Sequence, residues 1–231
     1  MEKIRIKELV EFRTKGSEKS KLNFALKLKT RKEKEKKEDE KSGGGNYWSI
    51  SNSCIYNTFK YGIDEYYDEK IKDVSDRQKN TDIDKDQIMY QRNLDILKSF
   101  KEFDILNLRP TNIIKFETIH KSIKVITIQN FPIYINPDLV FHFEENGKDF
   151  IGSLLLVPQL GGFTKANLGI FCDVLYEFLN KHYLDQYQIS EEYCIVIDTF
   201  NASKISYLDL INKKVPTLLK STLDEIKRLQ K

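Results

Sequence analysis

The sequence predicts an α+β protein, a helical N-terminal region followed by a mixed-sheet α/β core. Three observations carry this prediction. The spacing of apolar residues changes from helical to alternating near Lys121. Asn146-Gly147, the strongest kind of short hairpin signal, lies between two apolar runs. The run from Ile151 to Val157 is apolar almost throughout, as a central strand covered on both faces requires, and a helical stripe and a second apolar strand follow it.

The helical region begins at Lys3. In its first helix Leu9, Val10 and Phe12 are expected to pack, with Ile4, Glu8, Glu11 and Lys15 facing water. A second helix is expected to start near Ser17 or Ser20, with Leu22, Phe24, Ala25, Leu26 and Leu28 as its apolar face. From Lys32 to Lys41 both signs of charge interleave and no apolar residue occurs, so this run has nothing to bury. With Ser42-Gly43-Gly44-Gly45-Asn46 behind it, the stretch Lys32–Asn46 is expected to be a mobile connector. The three glycines do not make a phosphate loop, because no strand precedes them and no Gly-Lys-Ser/Thr follows.

After Tyr47-Trp48 a helix capped by Ser49 or Ser51 buries Ile50, Cys54, Ile55 and Phe59. Residues 61–110 are mostly helical. The clearest helix there runs from about Lys85 to Phe103 on the spacing of Met89, Asn93, Ile96, Leu97 and Phe100. Tyr90-Gln91-Arg92 fits the surface of that helix, and Arg109-Pro110 breaks the pattern.

The α/β part opens with Lys124–Ile128 and Phe131–Ile135, strand-like runs with a proline or bulge expected between them. Leu139–Phe143 and Phe150–Val157 form a hairpin about Asn146-Gly147. The helix from Thr164 to about Tyr183 shows Leu168, Phe171, Cys172, Leu175, Phe178 and Leu179 on one broad face. Tyr193–Ile197 is the next strand, and the intervening chain suffices for a parallel crossover from the Leu156 strand. A last helix after Pro216 turns Leu219, Thr222, Leu223, Ile226 and Leu229 inward. The expected division is a basic helical arm and connector over 1–46, a helical region over 47–115, and the α/β domain over 116–231.

Composition narrows the functional classes. A chain of 231 residues with 40% hydrophobic and 12% aromatic residues can build a substantial core. No apolar run spans a bilayer, so no membrane is expected as a partner. Met1-Glu2-Lys3-Ile4-Arg5 lacks the pattern of a secretory signal, and Cys54, Cys172 and Cys194 are three widely spaced cysteines, which fit core thiols of a reduced cytoplasmic protein. His120, His142 and His182 are too scattered for a metal signature. Charge is uneven: residues 1–41 hold 15 Lys/Arg against 9 Asp/Glu, and the remainder is mildly acidic. Lys19, Lys21, Lys27 and Lys29 are therefore the candidate nucleic-acid-binding residues.

The order of strand, hairpin pair, helix, strand and closing helix, with Pro137-Asp138 opening a hairpin strand, resembles the PD-(D/E)XK nuclease superfamily over about Lys121–Lys231. In that family an aspartate starts the second core strand and an acidic-x-lysine triplet lies on the third, where a spacing of two puts acid and lysine on one face. The carboxylates hold magnesium, which generates the attacking hydroxide and stabilises the leaving oxygen, and the lysine orients the water. Asp138 matches the first position. Ser153-Leu154-Leu155 stand where the triplet falls, so the carboxylate and the cation are both missing. Glu145 and Lys148 flank the hairpin turn and are expected to face solvent.

The resemblance thus implies a degenerate, non-catalytic nuclease-like protein without a cofactor, recognising nucleic acid or a protein partner. A bacterial defence, mobile-element or toxin–antitoxin complex fits by analogy of fold alone. The alternatives are an active magnesium nuclease with a rearranged site, in which Asp138 binds metal and Lys165 supplies the migrated lysine, and a structural subunit of a larger assembly.

Overall fold

The computed structural model describes residues 2–31 and 47–231. The expectation of a mobile connector at Lys32–Asn46 lies outside the described residues. The strands are β1 (Ile4–Arg5), β2 (Ile113–Phe116), β3 (Val125–Ile128), β4 (Phe131–Tyr134), β5 (Leu139–Glu145), β6 (Lys148–Val157), β7 (Gln188–Asp198) and β8 (Ser203–Ser206). The helices are α1 (Ile6–Thr14), α2 (Glu18–Thr30), α3 (Ser49–Tyr61), α4 (Tyr66–Lys79), α5 (Asp84–Phe103), α6 (Lys165–Tyr183), α7 (Tyr207–Ile211) and α8 (Leu219–Leu229).

Five strands form the central sheet in the order β2-β5-β6-β7-β8. The β5–β6 hairpin turns at Asn146 and Gly147, both at positive φ (53° and 72°), as that dipeptide predicts. Glu145 and Lys148 face each other beside this turn and are exposed. From β6 the chain crosses through α6 and returns as β7, parallel to β6, with Leu154 opposite Ile195 and Leu156 opposite Ile197. Every residue from Ile151 to Val157 is buried. The alternation of side chains explains how both faces are used. Leu139, Phe141, Phe143, Leu154, Leu156, Ile195 and Ile197 share a core with α3, α4 and α5. Val140, Ile151, Leu155, Val157, Cys194 and Val196 share the other with α1, α2, α6 and α8.

That second core corrects the expectation of an N-terminal arm. Residues 2–31 are built into the α/β layer: Leu9 and Phe12 are fully buried as expected, and each contributes about 1.5–3 kcal/mol by leaving water. Ile4, expected to face water, is also fully buried, because β1 pairs in parallel with β4 and sets Ile4 opposite Ile133. The resulting small sheet has the order β1-β4-β3. Between β3 and β4 lies a two-residue turn with Gln129 and Asn130 at positive φ, where a proline or bulge was expected. Pro132 sits inside β4, just ahead of the point at which β1 begins to pair, so its missing N–H costs no bond on that side.

α2 lies against α8 and α1. Ala25 and Leu28 turn inward, while Leu22 and Leu26, expected in the apolar face, are about two-fifths exposed (39% and 41%) because only one side of the helix is covered. Arg31 fastens its far end by pairing with Glu2 (2.8 Å) and Glu8 (2.5 Å). In the other layer, neither Ser49 nor Ser51 caps α3 with its side chain. Ser51 is buried and donates to Asn93 Oδ1 on α5 through its N–H (3.0 Å) and its hydroxyl (2.9 Å). Asn93 in turn donates to the carbonyls of Tyr47 and Met89, so the buried amide is satisfied. The three cysteines are buried thiols. Among the described residues no helix is long and apolar enough to cross a membrane.

Candidate functional site

Pro137 is buried at the entry to β5, and Asp138 follows it one residue ahead of the strand. The Asp138 N–H donates to the Leu154 carbonyl (3.0 Å), and its Oδ2 accepts from the Leu156 N–H (2.7 Å). The carboxylate therefore extends the β5–β6 ladder beyond its last backbone pair. Burial pushes the pKa of Asp138 up to about 6 against the opposing pull of the Leu156 N–H. The residue is half-buried, and it lines a cleft of about 420 Å³ together with Lys60 of α3, Glu117, Lys124 and Asn136.

Glu117 was not anticipated from sequence. It stands just past β2, where its N–H donates to the Val140 carbonyl (2.8 Å), and its carboxylate pairs with Lys115 (3.0 Å). Lys60 lies over the rings of Tyr56 (5.5 Å) and Phe116 (5.8 Å) on the cleft wall. The cleft thus gathers two carboxylates and two ammonium groups beside aromatic faces. Such a surface can hold a polar ligand through charge on one side and ring stacking on the other.

At the positions where the PD-(D/E)XK resemblance would put its triplet, the side chains are committed elsewhere. Ser153 is fully buried, and its hydroxyl donates to the Leu139 carbonyl (2.7 Å). Leu155 belongs to the core under α6. Magnesium held in the family manner does not fit these residues, since Asp138 is the one carboxylate among the three positions. Among the described residues no group of three or more His, Cys, Asp or Glu side chains is placed to hold a metal ion. Lys165 is exposed at the start of α6, behind its Thr164 cap, and does not line the cleft that Asp138 lines.

A second aspartate, also missed by sequence reasoning, closes β7. Asp198 is fully buried, and its carboxylate accepts from the Phe163 N–H (2.7 Å), the Phe200 N–H (3.0 Å) and the Asn201 amide (2.9 Å). It ties the loop after β6 to the loop after β7. Gly162 is needed there: its φ is +68°, and a Cβ would meet the Asn201 amide at 1.7 Å. An aspartate two residues before an aromatic-asparagine pair at a strand end, as in Asp198-Thr199-Phe200-Asn201, was the available turn signal.

The four lysines of α2 separate into two pairs. Lys21 pairs with Glu225 of α8 (2.9 Å), and Lys29 donates to the Gln230 carbonyl (2.5 Å), so both secure α2 to the body. Lys19 and Lys27 are exposed and line a groove of about 550 Å³ between α1 and α2. The four candidate lysines are therefore not equivalent in the fold.

Comparison with protein-family models, with curated proteins and with solved structures finds no match.

Proposed function

We propose that the chain is a degenerate, PD-(D/E)XK-like scaffold that recognises a partner instead of cutting nucleic acid. The observation that carries this reading is the fate of the triplet positions. The Ser153 hydroxyl is committed to the Leu139 carbonyl and Leu155 is buried in the core, so neither can hold metal or orient water. Asp138 keeps a ladder bond that a plain strand entry would also use. The antiparallel β5–β6 pair, the α6 crossover and the parallel β7 support the likeness of fold. Recognition of a protein or of nucleic acid, in the kind of defence or mobile-element complex suggested by analogy, follows from the exposed surface that remains. For nucleic acid, Lys19 and Lys27 are the exposed side chains of α2 that have no ion pair among the described residues.

A gel shift with plasmid and single-stranded DNA, with and without magnesium, tests this reading, run beside a cleavage assay on the wild type and Asp138→Ala. Binding or inertness without metal-dependent cutting is expected. Metal-dependent cutting that Asp138→Ala abolishes overturns it.

One observation favours a second reading. Glu117 lines the same cleft as Asp138, which gives an active nuclease with a rearranged site two carboxylates to work with. On that reading Glu117→Gln abolishes cutting as completely as Asp138→Ala, and Lys165→Ala leaves it intact.

A further inference from the structure

The side of α6 on which α7 packs carries a polar arrangement away from the Asp138 cleft. Asp173, Tyr176 and Glu177 are spaced three and four apart and so share one side of the helix. α7 packs on that side and lays Tyr207 over Tyr176, with ring centroids 3.6 Å apart and planes within 4° of parallel. Both rings are half-buried. Parallel phenol rings set negative faces together, an arrangement that a nearby cation improves.

Asp173 is 9% exposed and makes no hydrogen bond or ion pair among the described residues. Neither of its oxygens is among the fully buried polar atoms that lack a partner, so the carboxylate reaches the surface, where so little exposure leaves it weakly solvated and favours a cation. Burial and then the charge of Glu177 push its pKa up to about 6. Glu191, on β7, adds to the negative field at Tyr176, as Asp173 does at Tyr207. Lys220 on α8 offsets Asp173 from beyond ion-pair distance. The site therefore has an unmet demand for positive charge, directed both at a ring pair and at a carboxylate.

We propose that Asp173, Tyr176, Glu177 and Tyr207 form a docking point for an arginine side chain presented by a protein partner. The guanidinium is planar and carries donors in a fork, so it stacks on the tyrosine pair while donating to the Asp173 carboxylate. An ammonium is a compact point charge and meets only one of these demands at a time. Phosphate is repelled by the carboxylates, which sets this face apart from any nucleic-acid surface. The inference stands whether or not the Asp138 cleft is silent.

The test titrates the full chain with two capped tripeptides, Gly-Arg-Gly and Gly-Lys-Gly, followed by amide chemical shifts. Saturable shifts at residues 173–177 and 207 are expected with Gly-Arg-Gly, about fivefold tighter than with Gly-Lys-Gly. Asp173→Asn, which keeps shape, should weaken binding at least about fivefold, and Lys220→Ala should strengthen it by removing a competing cation. Tyr207→Phe keeps the ring stack and should leave the affinity within about twofold. Equal binding of the two peptides, shifts confined to other surfaces, or unchanged affinity in Asp173→Asn would each overturn the assignment.

Discussion

Asp138 and Asp198 flank the C-terminal end of β6 from β5 and from β7, and their oxygens are used differently. Asp198 is sealed in the core and receives three donors from two loops. Asp138 receives one side-chain bond and looks into a cleft. A carboxylate offers about four lone-pair positions. Three internal donors nearly saturate the first, which makes it a staple, whereas the second keeps capacity for something outside the fold. The same division runs through the lysines of α2, where Lys21 and Lys29 are tied to α8 and its end and Lys19 and Lys27 are exposed and without a hydrogen bond or ion pair among the described residues.

The largest effect should come from Asp198→Ala, which strands the N–H groups of Phe163 and Phe200 in a buried junction. A loss of about 3–5 kcal/mol in denaturant unfolding is expected. A loss below about 1 kcal/mol would erase the distinction between the two aspartates.

Asp138→Asn should act in the opposite direction and depend on pH. The folded pKa of Asp138 is raised to about 6, so its contribution to stability is full below the unfolded value near 3.8 and is lost as pH rises through 6. The asparagine variant, which still accepts from Leu156, should gain on the wild type as pH rises from 4 to 7, by at most about 3 kcal/mol. Melting curves across that range decide it, and parallel pH profiles would show that the cleft carboxylate is as well satisfied as Asp198.

Among the lysines, replacing Lys21 and Lys29 together with glutamine should lower stability by about 1 kcal/mol, as partly exposed pairs do. Replacing Lys19 and Lys27 should leave stability unchanged within about 0.5 kcal/mol. If the protein binds DNA through α2, the second pair should flatten the salt dependence by about two counterions' worth of slope, and the first pair should not. Identical behaviour of the two pairs would dissolve the tied and exposed classes.

Much of the central sheet was legible because its signals are local. Asn146-Gly147 specifies its turn by backbone conformation, and the α6 stripe and the apolar β6 specify burial by periodicity. Elements that depend on distant chain were not legible. Two residues at Ile4-Arg5 become a strand only because β4 has an edge to offer, and no pattern within such a short stretch announces it. Leu22 and Leu26 carry the same apolar signal as Ala25 and Leu28, and only the direction from which α1 and α8 approach decides which pair is covered. β2, β8 and α7 are four or five residues long, too short for periodicity to register. Asp138 stood out beside a proline. Glu117 became its neighbour through the β2–β5 pairing, which the sequence does not print.

The short parallel pairing of Ile4 with Ile133 also sets an order of events in synthesis. Residues 4–28 emerge from the ribosome well before residues 126–226, which hold the surfaces that cover them. For that interval Leu9, Val10 and Phe12 have only α2 of their native surroundings to pack against, and the layer under α6 cannot close. Contacts so far apart along the chain are slow to form, because the loop must be closed before they reward it. A chain stalled before Ile133 would present the α1 stripe to whatever apolar surface is nearest, so this segment, made long before its cover, is one that a holding chaperone would shield.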